Sequence, residues 1–286
     1  MHWLERTPIW VIGLAILVAL MIADQIGSAI RRMLRRKGLP EPADEGIGHI
    51  LSGALVLLGL LIAFTFAAAS DRFDTRRLLG VEEANAIGTT YLRIQALDDA
   101  PKAALSQLMV QYVHARRDWF LAGEDDARLA RAEAETDAVQ KRMWTVTVSD
   151  VRANPTATIN PSLLQTTNEM FDLAASQSAA LDARVPISIL RSLLVFALIA
   201  AALMGYALTK GTRQMVASAA LNAALSLAIC LILDIDRPRS GTVRVSHAPM
   251  DRTIAAVEAA EAGKATPPGP PTLAPQPATQ PISPSR

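Results

Sequence analysis

Four stretches of the chain are apolar on every face a helix would present. The first runs from Pro8 to about Ile26 and carries no charge between Ile9 and Ala23. The second, Gly46 to Ser70, has His49 as its one ionisable group. The third, Pro186 to Thr209, is apolar apart from Arg191, and the fourth runs from Gln214 to Leu233. At about 1.5 Å per residue each is long enough for a hydrocarbon core of roughly 30 Å. The break Lys210-Gly211-Thr212-Arg213 is short, so the third and fourth stretches are expected to form an antiparallel hairpin. The pattern predicts an all-α membrane protein with four transmembrane helices.

Elsewhere the apolar positions recur at helical spacing. Ile26, Ile30, Met33 and Leu34 keep an apolar face beyond the first span, with Gly38 and Pro40 as a stop. Between Asp71 and Val185, Leu105, Leu108, Met109, Tyr112, Trp119 and Phe120 form a stripe that ends near Gly123. A second stripe, Leu164, Phe171, Ala174, Ala175, Ser178 and Leu181, follows Asn160, a predicted N-cap. Residues 126–144 are helical by composition but weakly patterned. This segment reads as a helical extramembrane bundle inserted between the second and third spans. Gly241 to His247 alternates like a short strand, Pro249 to Ala262 reads as an amphipathic helix, and a Pro-rich, disordered C-terminal tail closes the chain. The predicted organisation is therefore 1–45, 46–70, 71–185, 186–233, 234–262 and 263–286.

Composition sharpens this picture. Hydrophobic residues make up 51% of the 286 and charged residues 19%, below the roughly 25% of a soluble domain. The net charge of +1 argues against nucleic acid as a partner, and a single cysteine, Cys230, forms no internal disulfide. Arg31, Arg32, Arg35, Arg36 and Lys37 crowd one short loop, and Lys210 and Arg213 the other, which places both loops in the cytoplasm. Both termini and residues 71–185 then lie outside it. That long segment holds 13 basic and 17 acidic residues, a net of −4. The charge follows the first apolar stretch, which reads as an uncleaved anchor in a bacterial inner membrane. Trp3 and Trp10 suit an interfacial belt, and Arg31, Arg32, Arg35 and Arg36 suit anionic lipid headgroups.

Polar groups inside or beside the spans are the candidate chemistry. Ser218, Asn222, Ser226 and Cys230 recur every four residues along the fourth span, so they face one neighbour or one lumen. Ala217, Ala220, Ala224 and Ala228 suggest close packing there. Asp234, Asp236, Arg237 and Arg239 gather where that span ends, and charges beside hydrocarbon require pairing, hydration or a cavity. Pro238 allows the alternative of a helix stop with a surface ion pair. Glu82, Asn85, Thr89 and Arg93 would share a helical strip, with Glu83 beside it and Gly80 and Gly88 open to another helix. Arg116 and Arg117 are the cations that would answer the two glutamates. Arg191 is expected to snorkel, and His49 to be packed or to cap.

The segments Glu-Glu-Ala-Asn-Ala-Ile-Gly-Thr (82–89), Tyr112 to Trp119 and Leu-Asp-Ile-Asp-Arg-Pro-Arg-Ser-Gly (233–241) resemble the bestrophin-like bacterial membrane family. That family takes its name from a distant likeness to bestrophins, chloride channels that assemble as pentamers. The resemblance implies a homo-oligomer in the bilayer and an ion channel or transport protein, with Asp234, Asp236, Arg237, Glu82 and Glu83 as charges at a pore mouth. The aromatic pore neck of bestrophins has no clear counterpart, since the second span offers Phe64 and Phe66. The alternative is a non-conducting sensor or scaffold whose outer bundle binds a ligand or partner. An enzyme is not expected: the chain has no HExxH, GxSxG or P-loop, and His2, His49, His114 and His247 are scattered. Neither a cofactor nor a metal is implied.

Overall fold

The computed structural model describes residues 7–38, 44–207 and 212–263. His2, Trp3, Pro40, Lys210 and the tail beyond Gly263, on which part of the sequence reading rests, lie outside them. The described residues form helices α1 (Ile9–Arg36), α2 (Asp44–Ile94), α3 (Asp99–Leu121), α4 (Asp126–Ala153), α5 (Asn160–Asp182), α6 (Ile187–Ala207), α7 (Thr212–Ile235) and α8 (Ala248–Glu261). Four stretches are long and apolar enough to cross a membrane: α1, α2 from Gly46, the stretch Asn160–Ala207 that ends with α6, and α7. No strand occurs among the described residues. The alternation at 241–247 belongs instead to a turn and an extended run, because its amides bond to a carboxylate and not to another strand.

The chain separates into two compact units. One comprises Met1–Leu78, Gly123–Asp125 and Gln177–Ser246, the other Leu79–Ala122, Asp126–Ser176 and His247–Arg286.

In the first unit α1 packs against both α6 and α7, while α6 and α7 touch each other little. The reason lies in two glycines. A Cβ on Gly27 would overlap the carbonyl oxygen of Ala202, and one on Gly205 would overlap that of Asp24. Backbone therefore meets backbone at this crossing, as small residues permit in membrane helices. Ile12, Ile16 and Leu20 of α1 bury against Leu193, Ala197 and Ala201 of α6 and Ile229 and Ile232 of α7. The alanines 217, 220 and 224 of α7 lie on its exposed side and not in this seam. The polar positions of α7 occupy the seam instead, since they alone can bond to α1.

In the second unit the C-terminal part of α2 joins α3, α4, α5 and α8 around one core. It includes Ile87, Tyr91, Met109, Tyr112, Val139, Met143, Leu163, Met170, Ile254 and Val257. The α3 stripe is buried as its spacing predicts, and Gly123 closes that region with φ of 61°. The α5 stripe is displaced. Its inward positions are Leu163, Thr166, Thr167, Met170, Ala174, Gln177 and Leu181, and Ala175 is exposed. Three polar residues occupy that face, so the apolar stripe marks it only in part: Ala174 and Leu181 are inward and Phe171 packs against Tyr112, while Leu164 and Ser178 are half-buried. Asn160 is the first residue of α5 and makes no N-cap: its Nδ2 donates back to the Asn154 carbonyl at 2.6 Å. A Cβ on Gly88 would meet nothing within 4 Å, so among the described residues no other helix uses that gap.

Candidate functional site

The richest polar constellation lies where α7 ends. Asp234 is the acceptor for three donors of the following turn: the Thr242 amide at 2.9 Å, the Thr242 hydroxyl, and the Val243 amide at 3.2 Å. The turn requires glycine at 241, since a Cβ there would crowd the carbonyl oxygens of Asp234 and Arg237. Asp236 receives the Val185 amide on both carboxylate oxygens, at 3.0 and 3.1 Å. Burial pushes its carboxyl above the ordinary carboxylate range, against the opposing pull of that amide and of Arg76, Arg72 and Arg184. Arg237 donates to the Thr7 carbonyl at 3.0 Å, next to the start of α1.

Arg76 completes this group. Its Nε donates to the Ala180 carbonyl at 2.9 Å and its Nη2 to the Ala183 carbonyl at 2.6 Å, with the Ile235 carbonyl 3.5 Å from Nη1. These are carbonyls at or just beyond the C-terminal ends of α5 and α7, where a cation suits the helix dipole. Asp234, Asp236, Arg237 and Arg76 are all buried. Sequence reasoning missed Arg76, because its acceptors are backbone carbonyls about 100 or more residues away. Arg72 and Arg77 beside it gave no means of choosing among the three.

The two glutamates of α2 have opposite surroundings. Glu83 is fully buried and takes a fork-to-fork pair from Arg116: Nε to Oε1, and Nη2 to Oε2 at 3.0 Å. The guanidinium also lies 4.4 Å from the Trp119 ring centroid and 5.5 Å from that of Phe120. Burial works against the Arg116 charge, but Glu83 outweighs it and holds the group above its ordinary value. Glu82 is exposed, as are Asn85 and Thr89 on the same strip. Arg93 turns aside, donating to the Ser162 carbonyl at 2.9 Å.

The polar strip of α7 faces α1 of the same chain. Ser218 donates to Asp24 at 2.8 Å, Ser226 to the Gly13 carbonyl at 2.7 Å, and Cys230 lies 3.5 Å from the Ile9 carbonyl. These three pairs run in opposite senses along the two helices, so α1 and α7 are antiparallel. Asn222 sits between Ser218 and Ser226 and is also buried. Sequence reasoning left Asp24 out, since it stands at the end of an apolar run where a charge is unremarkable. Arg191 is exposed, and so is His49, which is therefore not packed in this chain. Arg31 donates to the Tyr206 and Ala207 carbonyls at 3.3 and 2.9 Å, at the C-terminal end of α6. Among the described residues no group of three His, Cys, Asp or Glu side chains is placed to hold a metal.

This arrangement has relatives of known structure. A bacterial bestrophin homologue from Klebsiella pneumoniae carrying a tryptophan-to-alanine substitution is similar over 88% of this chain and 96% of that one, with a TM-score of 0.66 at 12% identity. The same protein solved by Zn-SAD phasing is similar over 88% and 99%, with a TM-score of 0.65 at 13% identity. At such identity the likeness concerns the fold. No curated protein matches the sequence. The Bestrophin-like domain matches residues 11–250, which is most of the chain, and the protein is a member of the bestrophin-like family.

Proposed function

We propose that the chain is one subunit of an oligomeric ion channel or transport protein of the bacterial plasma membrane, and not an enzyme. The observation that carries this reading is how little of the membrane surface the single chain covers. The most apolar windows of α1 and of the Gly46–Ile94 stretch are only 11% buried within it. On α2, Ile50, Val56, Leu57, Leu60 and Phe64 are all exposed. Lipid covers part of such a surface, and copies of the same chain cover the rest.

In this reading residues 71–185 form the bundle inserted between spans two and three, outside the cytoplasm together with both termini, and the Pro-rich tail follows the last helix. Arg32, Arg35 and Arg36 meet anionic headgroups at the opposite surface, beside Arg31, whose guanidinium also holds the carbonyl end of α6. Glu82 is the charged residue open to a permeating ion, whereas Glu83 is neutralised by Arg116. Asp234, Asp236 and Arg237 frame the mouth by holding the ends of the helices. Ser218, Asn222 and Ser226 support the subunit from within.

The test is flux of chloride and potassium from liposomes holding the full chain, with Glu82→Gln and Asp234→Asn/Asp236→Asn alongside. Flux whose ion preference changes in Glu82→Gln supports the reading. Absence of flux of either ion from folded, inserted protein overturns it in favour of the sensor or scaffold.

A further inference from the structure

Helix α7 carries one polar side chain that its own subunit leaves unanswered. Asn222 is 1% exposed, and neither its Oδ1 nor its Nδ2 has a hydrogen-bond partner. It lies near the midpoint of α7 (Thr212–Ile235), one turn from Ser218 and one turn from Ser226. Both of those serines reach across to α1. Four-residue spacing keeps Asn222 on the same face, so its amide is aimed into the α1–α7 seam. Its neighbours on that side of α1, Ile16 and Leu20, are apolar and buried. A primary amide left dry at the centre of a membrane helix is among the costlier features a fold can carry.

The chemistry of the amide restricts what answers it. Oδ1 needs a donor and Nδ2 needs an acceptor. A bare cation would satisfy the oxygen and repel the N–H groups, and an anion would do the reverse. A second copy of the chain has no access to a side chain so deeply buried. A small neutral molecule that both donates and accepts meets the requirement, and water is the one at hand in every bilayer. The contrast with the α1–α6 seam supports this choice: there Gly27 and Gly205 bring the two backbones into direct contact, which leaves no gap for a molecule between them. We propose that Asn222 binds an occluded water molecule between α1 and α7, the missing member of the polar column that runs from Asp24–Ser218 to Ser226–Gly13. The site is internal to the subunit and independent of whether the assembly conducts.

The experiment is water-edited solid-state NMR on the full chain in lipid bilayers, with nitrogen-15 in its asparagines. These are Asn85, Asn154, Asn160, Asn168 and Asn222. The Asn222 side-chain signal is the one lost in Asn222→Leu, and Asn222→Ser supplies the same assignment if the leucine variant does not insert. The expected result is polarisation from water reaching the Asn222 Nδ2 about as fast as that of exposed Asn85. Transfer no faster than to the apolar core, or a direct contact of Nδ2 with a protein carbonyl or a lipid, would overturn the site.

Discussion

Single residues in this protein are held mainly by what burial demands of their charge. Glu83 and Arg116 are both out of water, so removing one partner strands the other. Glu83→Leu or Arg116→Met alone is expected to destabilise the second unit by about 3–5 kcal/mol, whereas the two together should lose far less. Thermal unfolding of the four proteins of this double-mutant cycle, in one detergent, measures the difference. The two aspartates after α7 should differ in a similar way. Asp234 faces three donors, and an asparagine there turns an N–H toward them, at a cost of about 1–3 kcal/mol. Asp236 faces one amide and sits above the ordinary carboxylate range, so Asp236→Asn should be milder. The sign follows from that shift. The folded chain binds this proton more tightly than the unfolded one, so the Asp236 contribution to stability grows as pH falls through its folded value toward the ordinary one. The melting temperature of wild type should rise relative to that of Asp236→Asn as pH falls through the mildly acidic range. A difference that shrinks or stays constant toward low pH would count against it.

At the scale of the elements, apolar periodicity placed the helices well and their faces unevenly. The stripe on α3 was legible because Leu105, Leu108, Met109, Tyr112 and Trp119 are large and apolar at the buried positions. The stripe on α5 was legible only in part, because Thr166, Thr167 and Gln177 take buried positions, Thr166 bonding locally to the Ser162 carbonyl while its own carbonyl accepts from the Thr90 hydroxyl. In the membrane the situation reverses, since lipid and core are equally apolar and hydrophobicity carries no facing signal. There the small and polar residues mark the contacts. Gly205→Leu should force α1 from α6, because even a methyl group at 205 overlaps the Asp24 carbonyl. The expected outcome is a folded yield lost or sharply reduced, read by size-exclusion chromatography in detergent, while Gly53→Leu on the open face of α2 leaves it unchanged.

For the whole molecule, orientation is the property the proposed function depends on, and it is directly measurable. With Cys230 replaced by alanine, a cysteine at exposed Arg36 and one at exposed Arg142 should label from opposite sides of intact cells. A membrane-impermeant thiol reagent is expected to reach position 142 and not position 36. Labelling of 36 alone would invert the topology. The sequence by itself determined the all-helical class, the four apolar spans and the family, because each rests on long runs or contiguous motifs whose meaning survives without neighbours. It also singled out Glu83, Asp234, Asp236, Arg237 and the strip Ser218, Asn222, Ser226. Only the tertiary structure decided what those groups touch. Several of their partners are backbone groups of distant segments, Val185 for Asp236, Thr7 for Arg237 and Gly13 for Ser226, and a peptide group looks alike at every position until the fold brings one of them to about 3 Å.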